Sequence, residues 1–169
     1  MDDIFNNIIE AYPNPNTCID ILINIFSNSG YDKTTKTIEN SETYSILRIY
    51  CLAYISYVIP SIDFTSSSDS INLISRIKPL FESELTDVLI SGDTFSWLSR
   101  IYTKCLTDIS TRGSLLPQIN SFYSEYLPVP VVAQYLYQDG SRDDEIIIRN
   151  NEKIIHPLFY NGQLEVLSE

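Results

Sequence analysis

The stretch YSILRIYCLAYISYVIP, residues 44–60, is the most apolar part of the chain, and its placement decides what kind of fold is open to the rest. A helical membrane span needs about 20 consecutive, predominantly apolar residues. This run holds 16 from Tyr44 to Ile59, contains Arg48, and stops at Pro60 before the polar DFTSSSDS. Ile46, Leu47, Ile49, Tyr50, Ala53, Tyr54, Tyr57 and Val58 cover more than one helical stripe, the pattern of a helix with neighbours on several sides. The stretch therefore reads as a central core helix, with residues 46–58 as the buried centre of a helical domain.

Further helices flank it. Ile4, Phe5, Ile8, Ile9 and Tyr12 form one stripe, closed by YPNPN. Thr17, with Asp20 three residues on, predicts the cap of a second helix that carries Leu22, Ile25 and Phe26 and stops at Gly30. YDKTTKTIENSE has little to bury and reads as an exposed loop before a cap at Ser41. Ser67 or Ser68 can cap a helix carrying Ile71, Ile74, Ile77 and Phe81, which Pro79 is expected to break or kink. A separate helix from Pro79 would gather Phe81, Leu85, Val88 and Leu89. Asp93 is the expected cap of the clearest helix, whose seam is Phe95, Leu98, Tyr102, Cys105 and Ile109 up to Gly113. A last helix is expected from Ser114, with Leu116, Ile119, Tyr123 and Tyr126 inward.

At LPVPVV the period changes. VVAQYLYQ, EIIIR, KIIHPLFY and QLEVL read as short strands, with Asn161-Gly162 as a hairpin turn and Pro157 marking an edge or bulge. The expected architecture is mainly α: a multi-helix bundle around a central apolar helix, residues 1–127, followed over 128–169 by a small antiparallel β element. That element is either a meander packed on the helices or an extended tail that completes its sheet on a partner.

Charge narrows the partners. With 11 Lys and Arg against 22 Asp and Glu, the formal net charge is −11. Such a field repels phosphate backbones and anionic lipid surfaces, so neither nucleic acid nor membrane is expected as a partner; a protein partner with basic patches is favoured. Cys18, Cys51 and Cys105 are far apart, lack CxxC spacing and sit among apolar residues, the usage of a reducing cytoplasmic or nuclear compartment. The acidic N-terminus MDDIFNNIIEAY resembles no targeting segment.

Few residues invite chemistry. His156 is the only histidine and lies between apolar residues and a proline, whereas nucleophilic triads want a placed base and zinc sites several ligands. Asp143, Asp144 and Glu145 are consecutive carboxylates; held apart in a cleft they could do acid–base work, but on a loop they point in different directions and would sooner contact a basic partner. Their spacing does not match a calcium loop. Trp97 lies beside the Phe95–Leu98–Tyr102 seam and, if exposed, suits an interface anchor. No cofactor, metal or catalytic residue is expected.

SGDTFSWLSRIY resembles the BH1 motif of Bcl-2-like proteins, D-G-x-x-N-W-G-R-I, through Asp93, Trp97, Arg100 and Ile101. An additional residue separates Trp97 from Arg100, the motif's glycine is missing, and no L-x-x-x-G-D segment occurs. The resemblance covers under a tenth of the chain and implies a helical regulator with a peptide-binding groove. The leading expectation is a non-catalytic binding, adaptor or assembly subunit with an acidic surface. The groove-bearing regulator and an enzyme using the acidic loop are the alternatives, and the oligomeric state stays open.

Overall fold

A computed structural model describes residues 2–87, 90–151, 153–154 and 159–168. The chain forms two compact units, one of Met1–Thr65 with Asp69–Ser114 and the other of Ser66–Ser68 with Leu115–Glu169. Seven α-helices and two two-stranded antiparallel sheets are present among the described residues, so the chain is mainly α with a small C-terminal β element.

The first unit begins with α1 (Asp2–Ala11), whose Phe5 is buried, and α2 (Pro15–Asn28). The expected cap at Thr17 is corrected. Asn14 caps α2, its side chain accepting from the N–H groups of Asn16 (3.0 Å) and Thr17 (3.3 Å), with Pro15 in the first turn where no amide donor is needed. The segment read as a loop is a short hairpin, β1 (Tyr31–Asp32) against β2 (Thr37–Ile38). Its turn is organised by Asp32 Oδ1, which accepts from Thr34 N–H at 2.7 Å.

The central helix α3 (Glu42–Val58) starts after Ser41 as expected and runs into a 3-10 turn at Ile59–Ser61. Its buried stripe is Arg48, Cys51, Leu52, Ile55 and Val58, packed chiefly against α2 and α5, while Tyr57 is 71% exposed. On its α1 side Phe5 stacks on Tyr50 and Tyr54 at 5.8 and 5.0 Å.

Helix α4 (Ser67–Leu85) passes unbroken through Pro79. A mid-helix proline costs about 3 kcal/mol, but Ile77, Leu80 and Phe81 around it are all buried, and tertiary packing outweighs the local penalty. Helix α5 (Gly92–Gly113) is capped by Ser91, not Asp93: Ser91 Oγ accepts from Thr94 N–H at 3.2 Å, and Asp93 sits in the first turn. Of its seam, Leu98, Cys105 and Ile109 are buried, Tyr102 stacks on Phe81 at 5.1 Å, and Phe95 stays exposed. Gly113 is required by close packing, since a Cβ there would overlap the Ser70 side chain on α4.

Arg48 lies in the middle of this unit with no exposed side-chain surface. Its Nε donates to Glu84 on α4, equally buried, and its Nη1 donates to the carbonyls of Ser29 (2.8 Å) and Glu39 (3.3 Å). One guanidinium thus satisfies the C-terminal end of α2 and the exit of the hairpin while pairing with α4. Burial pushes the Glu84 carboxyl above its ordinary value, and Arg48 pulls the other way.

In the second unit the structure corrects four expectations. Residues 119–127 form β3 (Ile119–Leu127), not a helix. The run VVAQYLY is α6 (Val129–Tyr137), and EIIIR belongs to α7 (Asp143–Arg149). Val129, Val132, Ala133, Leu136 and Tyr137 recur at helical spacing, with Pro130 in the first turn, and bury one face. Asp143, Asp144 and Glu145 occupy the first turn of α7, where carboxylates complement the backbone dipoles, so the acidic run marks a helix start. QLEVL is a strand as expected, within β4 (Tyr160–Leu167), which pairs with β3. Asn161-Gly162 does not turn the chain but lies inside β4, where Gly162 has φ 143° and packs so close to Tyr160 that a Cβ would meet its hydroxyl at 2.9 Å. The unit's core is Val129, Val132, Ala133, Tyr137, Ile146, Ile154, Leu164 and Val166. Residues 155–158 of the expected strand KIIHPLFY, including His156 and Pro157, lie outside the described residues. The compact units divide between Ser114 and Leu115, whereas the change of period in the sequence suggests 127/128.

Replacing Arg48 or Glu84 alone by Met should cost about 3–5 kcal/mol, because each leaves the other charge buried and unpaired. The double variant should lose much less than the sum, measured by denaturant unfolding. The raised Glu84 carboxyl adds a pH signature. Its contribution to stability is complete below the ordinary value of 4.5 and declines as pH rises through the higher native value. Glu84→Gln should remove that part of the slope.

Candidate protein-binding edge

The most unusual surface is made of main chain. β3 and β4 pair antiparallel from Ile119 opposite Leu167 to Glu125 opposite Asn161, and a bulge then sets Leu127 against Tyr160. In such a pair, facing residues alternate between those that exchange both main-chain hydrogen bonds and those whose N–H and C=O point away from the partner strand. Asn150 fixes which are which. It is buried, 2% exposed, and its Oδ1 accepts from Glu165 N–H (2.8 Å) while its Nδ2 donates to Glu165 C=O (2.7 Å) and Ile146 C=O (2.9 Å). The Glu165 main chain therefore points outward. Two residues on, Leu167 N–H donates to the Tyr137 hydroxyl at 3.0 Å. Burial pushes the Tyr137 phenol up, which keeps it neutral and fit to accept. The outer edge of β4 is thus occupied at Glu165 and Leu167, by an amide from the end of α7 and a phenol from α6, while Asn161 and Gln163, outward by the same alternation, have no such bond among the described residues.

The same alternation turns Ile119, Ser121, Tyr123 and Glu125 outward on β3. Ile119 N–H donates to Ser68 Oγ at 3.2 Å, which stops the edge at one end. At the other, Tyr126 takes φ 53° in the bulge and ends the regular strand. Between these stops, no main-chain hydrogen bond among the described residues covers Ser121, Tyr123 or Glu125, and all three are exposed, Tyr123 to 62%. The opposite face is the packed one, with Phe122 half-buried and Ser124 and Leu164 fully buried. An exposed strand edge of this kind is a template for another strand.

The residues singled out from sequence lie elsewhere. Trp97 is on α5 in the first unit and is 43% exposed, as is Phe95 two residues earlier at 44%. Asp143, Asp144 and Glu145 belong to the second unit. They do not converge, because adjacent helical positions point in different directions, and Glu145 is held by Arg142 at 3.0 Å. Arg142 in turn lies over the Tyr137 ring, 4.0 Å from its centroid. The cysteines are free and buried, and burial pushes the Cys51 thiol up to about 12. Among the described residues, no group of three or more His, Cys, Asp or Glu side chains could hold a metal ion. No described helix is long and apolar enough to cross a membrane.

A second concave feature lies within the first unit. A groove of about 470 Å³ runs between α3 and α5, lined by Ala53, Tyr57, Pro60, Ile101, Lys104 and Asp108. No protein-family model, curated protein or solved structure matches the chain, so the BH1-like segment stands as a short local likeness.

Sequence reasoning missed the edge residues Ser121, Tyr123 and Glu125 and the closing residues Asn150 and Tyr137. A signal was present in INSFYSEYL, a nine-residue stretch between Pro117 and Pro128 enriched in the β-branched and aromatic residues Ile119, Phe122, Tyr123 and Tyr126. Asn150→Ala should destabilise the second unit by about 1–3 kcal/mol, because the Glu165 main-chain groups lose their partner. Amide exchange at Glu165 should quicken while that at Tyr123, already uncovered, stays as it was.

Proposed function

We propose that this chain is a non-catalytic protein-binding or assembly subunit that takes an extended segment of another polypeptide on the edge of β3. The observation that carries the reading is the run of outward main-chain groups at Ser121, Tyr123 and Glu125 on β3, which no main-chain bond among the described residues covers, whereas side chains occupy those of Glu165 and Leu167 on β4. Strand addition draws affinity from main-chain hydrogen bonds and selectivity from alternate side chains. The net charge of −11 favours segments with basic residues and disfavours nucleic acid and anionic membranes. Three buried, unpaired cysteines suit a reducing compartment, cytoplasmic or nuclear.

The test uses the full chain and an array of extended ten-residue peptides with alternating side chains, basic or neutral. Basic members should bind, and more weakly as salt rises. Tyr123→Pro removes an outward donor without touching the bonds to β4, so it should reduce binding at least tenfold while circular dichroism is retained. Equal binding by this variant would count against strand addition.

A second reading is favoured by the groove between α3 and α5, which suits the apolar face of a partner helix. There Tyr57→Lys, on an exposed wall, should abolish capture of amphipathic helical peptides and leave strand peptides bound. The reverse result assigns recognition to β3 alone.

A further inference from the structure

We infer that the segment taken by β3 is an antiparallel strand carrying a basic residue and a large apolar residue three positions apart, one on each of its faces; this rests on the reading of β3 as a strand-accepting edge. The two faces of β3 ask for different chemistry. On the packed face, Phe122 is only half-buried. Leu164 stands opposite it on β4, and Tyr135 of α6 lies against it with ring centroids 5.9 Å apart. Tyr135 is itself 74% exposed, and Val131, one turn before it on α6, is exposed as well. An apolar strip therefore borders the open edge on its helix side. On the outer face, Glu125 is exposed and has no ion-pair partner among the described residues.

The ladder fixes where each side chain of an incoming strand falls. Tyr123 and Glu125 present their main-chain groups outward. In an antiparallel strand, which pairs more strongly per residue than a parallel one, the residues facing them sit in hydrogen-bonded pairs and share the outer face. The residue facing Phe122 sits in the intervening non-hydrogen-bonded pair, where Cα atoms approach to about 4.5 Å and side chains are closest. It enters on the helix side, against Phe122 and the Tyr135 ring, so a large apolar or aromatic side chain there is drawn out of water. The residue facing Glu125 lies three positions away and on the other face, where Lys or Arg meets the unpaired carboxylate of a chain of net charge −11. The exposed residues of β4 offer neither contact: they are Asn161, Gln163 and Glu165, and Glu165 already pairs with Lys153 at 3.6 Å. A spacing of three is also diagnostic, because it puts two side chains on opposite faces of a strand but on one face of a helix.

The test titrates the full chain with extended Thr-rich peptides carrying one Lys and one Phe, separated by two, three or four positions, and follows fluorescence anisotropy. The separation of three should bind about tenfold more tightly than two or four, which send both side chains to one face. In that peptide, replacing Phe by Ser should weaken binding about tenfold at any salt concentration. Replacing Lys by Gln should weaken it about threefold at about 50 mM salt and hardly at all at about 500 mM. Tyr135→Gln keeps a good helix former at an exposed position and should cut the Phe preference to about threefold, leaving the Lys preference as it was. Glu125→Gln should do the converse. Equal binding at separations of three and four, with Tyr123→Pro still weakening every peptide, overturns this partner chemistry and leaves the strand-accepting reading intact. A Phe preference untouched by Tyr135→Gln does the same. Binding that Tyr123→Pro does not weaken, or no binding of any peptide, overturns both.

Discussion

A buried guanidinium without hydrogen-bond acceptors costs several kcal/mol, and three stretches of the first unit meet most of that demand at Arg48, through Nε and Nη1 while Nη2 stays without a partner among the described residues. The α2 terminus, the hairpin exit and Glu84 on α4 converge on it from three stretches of chain. Leucine and isoleucine contacts around α3 supply most of the apolar burial, but they are tolerant of sliding. The directional bonds of Arg48 are not, so this residue sets how α2, the hairpin and α4 are placed on the central helix. Burial raises the Glu84 carboxyl despite the adjacent cation, so the cost of desolvating the pair offsets much of its attraction.

The second unit solves a different problem. Two strands expose two edges, and such a sheet is marginal unless something packs on it. Helices α6 and α7 supply the packing through Val132, Ala133 and Ile146 against Leu164 and Val166, and their ends also occupy the outward main-chain groups of Glu165 and Leu167. Asn150 presents an amide to Glu165 much as a third strand would, with its own oxygen and nitrogen standing in for a carbonyl and an N–H.

The helical character of the first unit was legible because its stripes recur at three and four residues and its ends carry Ser41 and Gly113. The central stretch announced itself by hydropathy, but Arg48 was read as an interruption of the apolar run and proved to be as fully buried as Cys51, Leu52 and Ile55. Misreadings cluster where local composition and periodicity disagree. Val131, Val132 and Ile146–Ile148 are β-branched and were read as strands, although the spacing of Val129, Val132, Ala133 and Leu136 and the acids at Asp143–Glu145 spell helices. Ile119, Tyr123 and Tyr126 imitate a helical stripe, yet their strand forms because β4 lies opposite, and no local pattern announces a partner that distant. The open edge was illegible for the same reason: it depends on which main-chain groups Asn150, Tyr137 and Ser68 occupy.

Occupying part of a strand edge with side chains has a consequence for how further strands can join it. A sheet with two bare edges adds copies head to tail without end and grows into a filament. A sheet with one bare edge is spent after a single addition, since whatever joins it either covers the last free groups or brings its own blocked rim to the outside. Along β4, one asparagine and one tyrosine already hold the outward groups of Glu165 and Leu167, so an incoming strand finds no ladder at that end of the sheet.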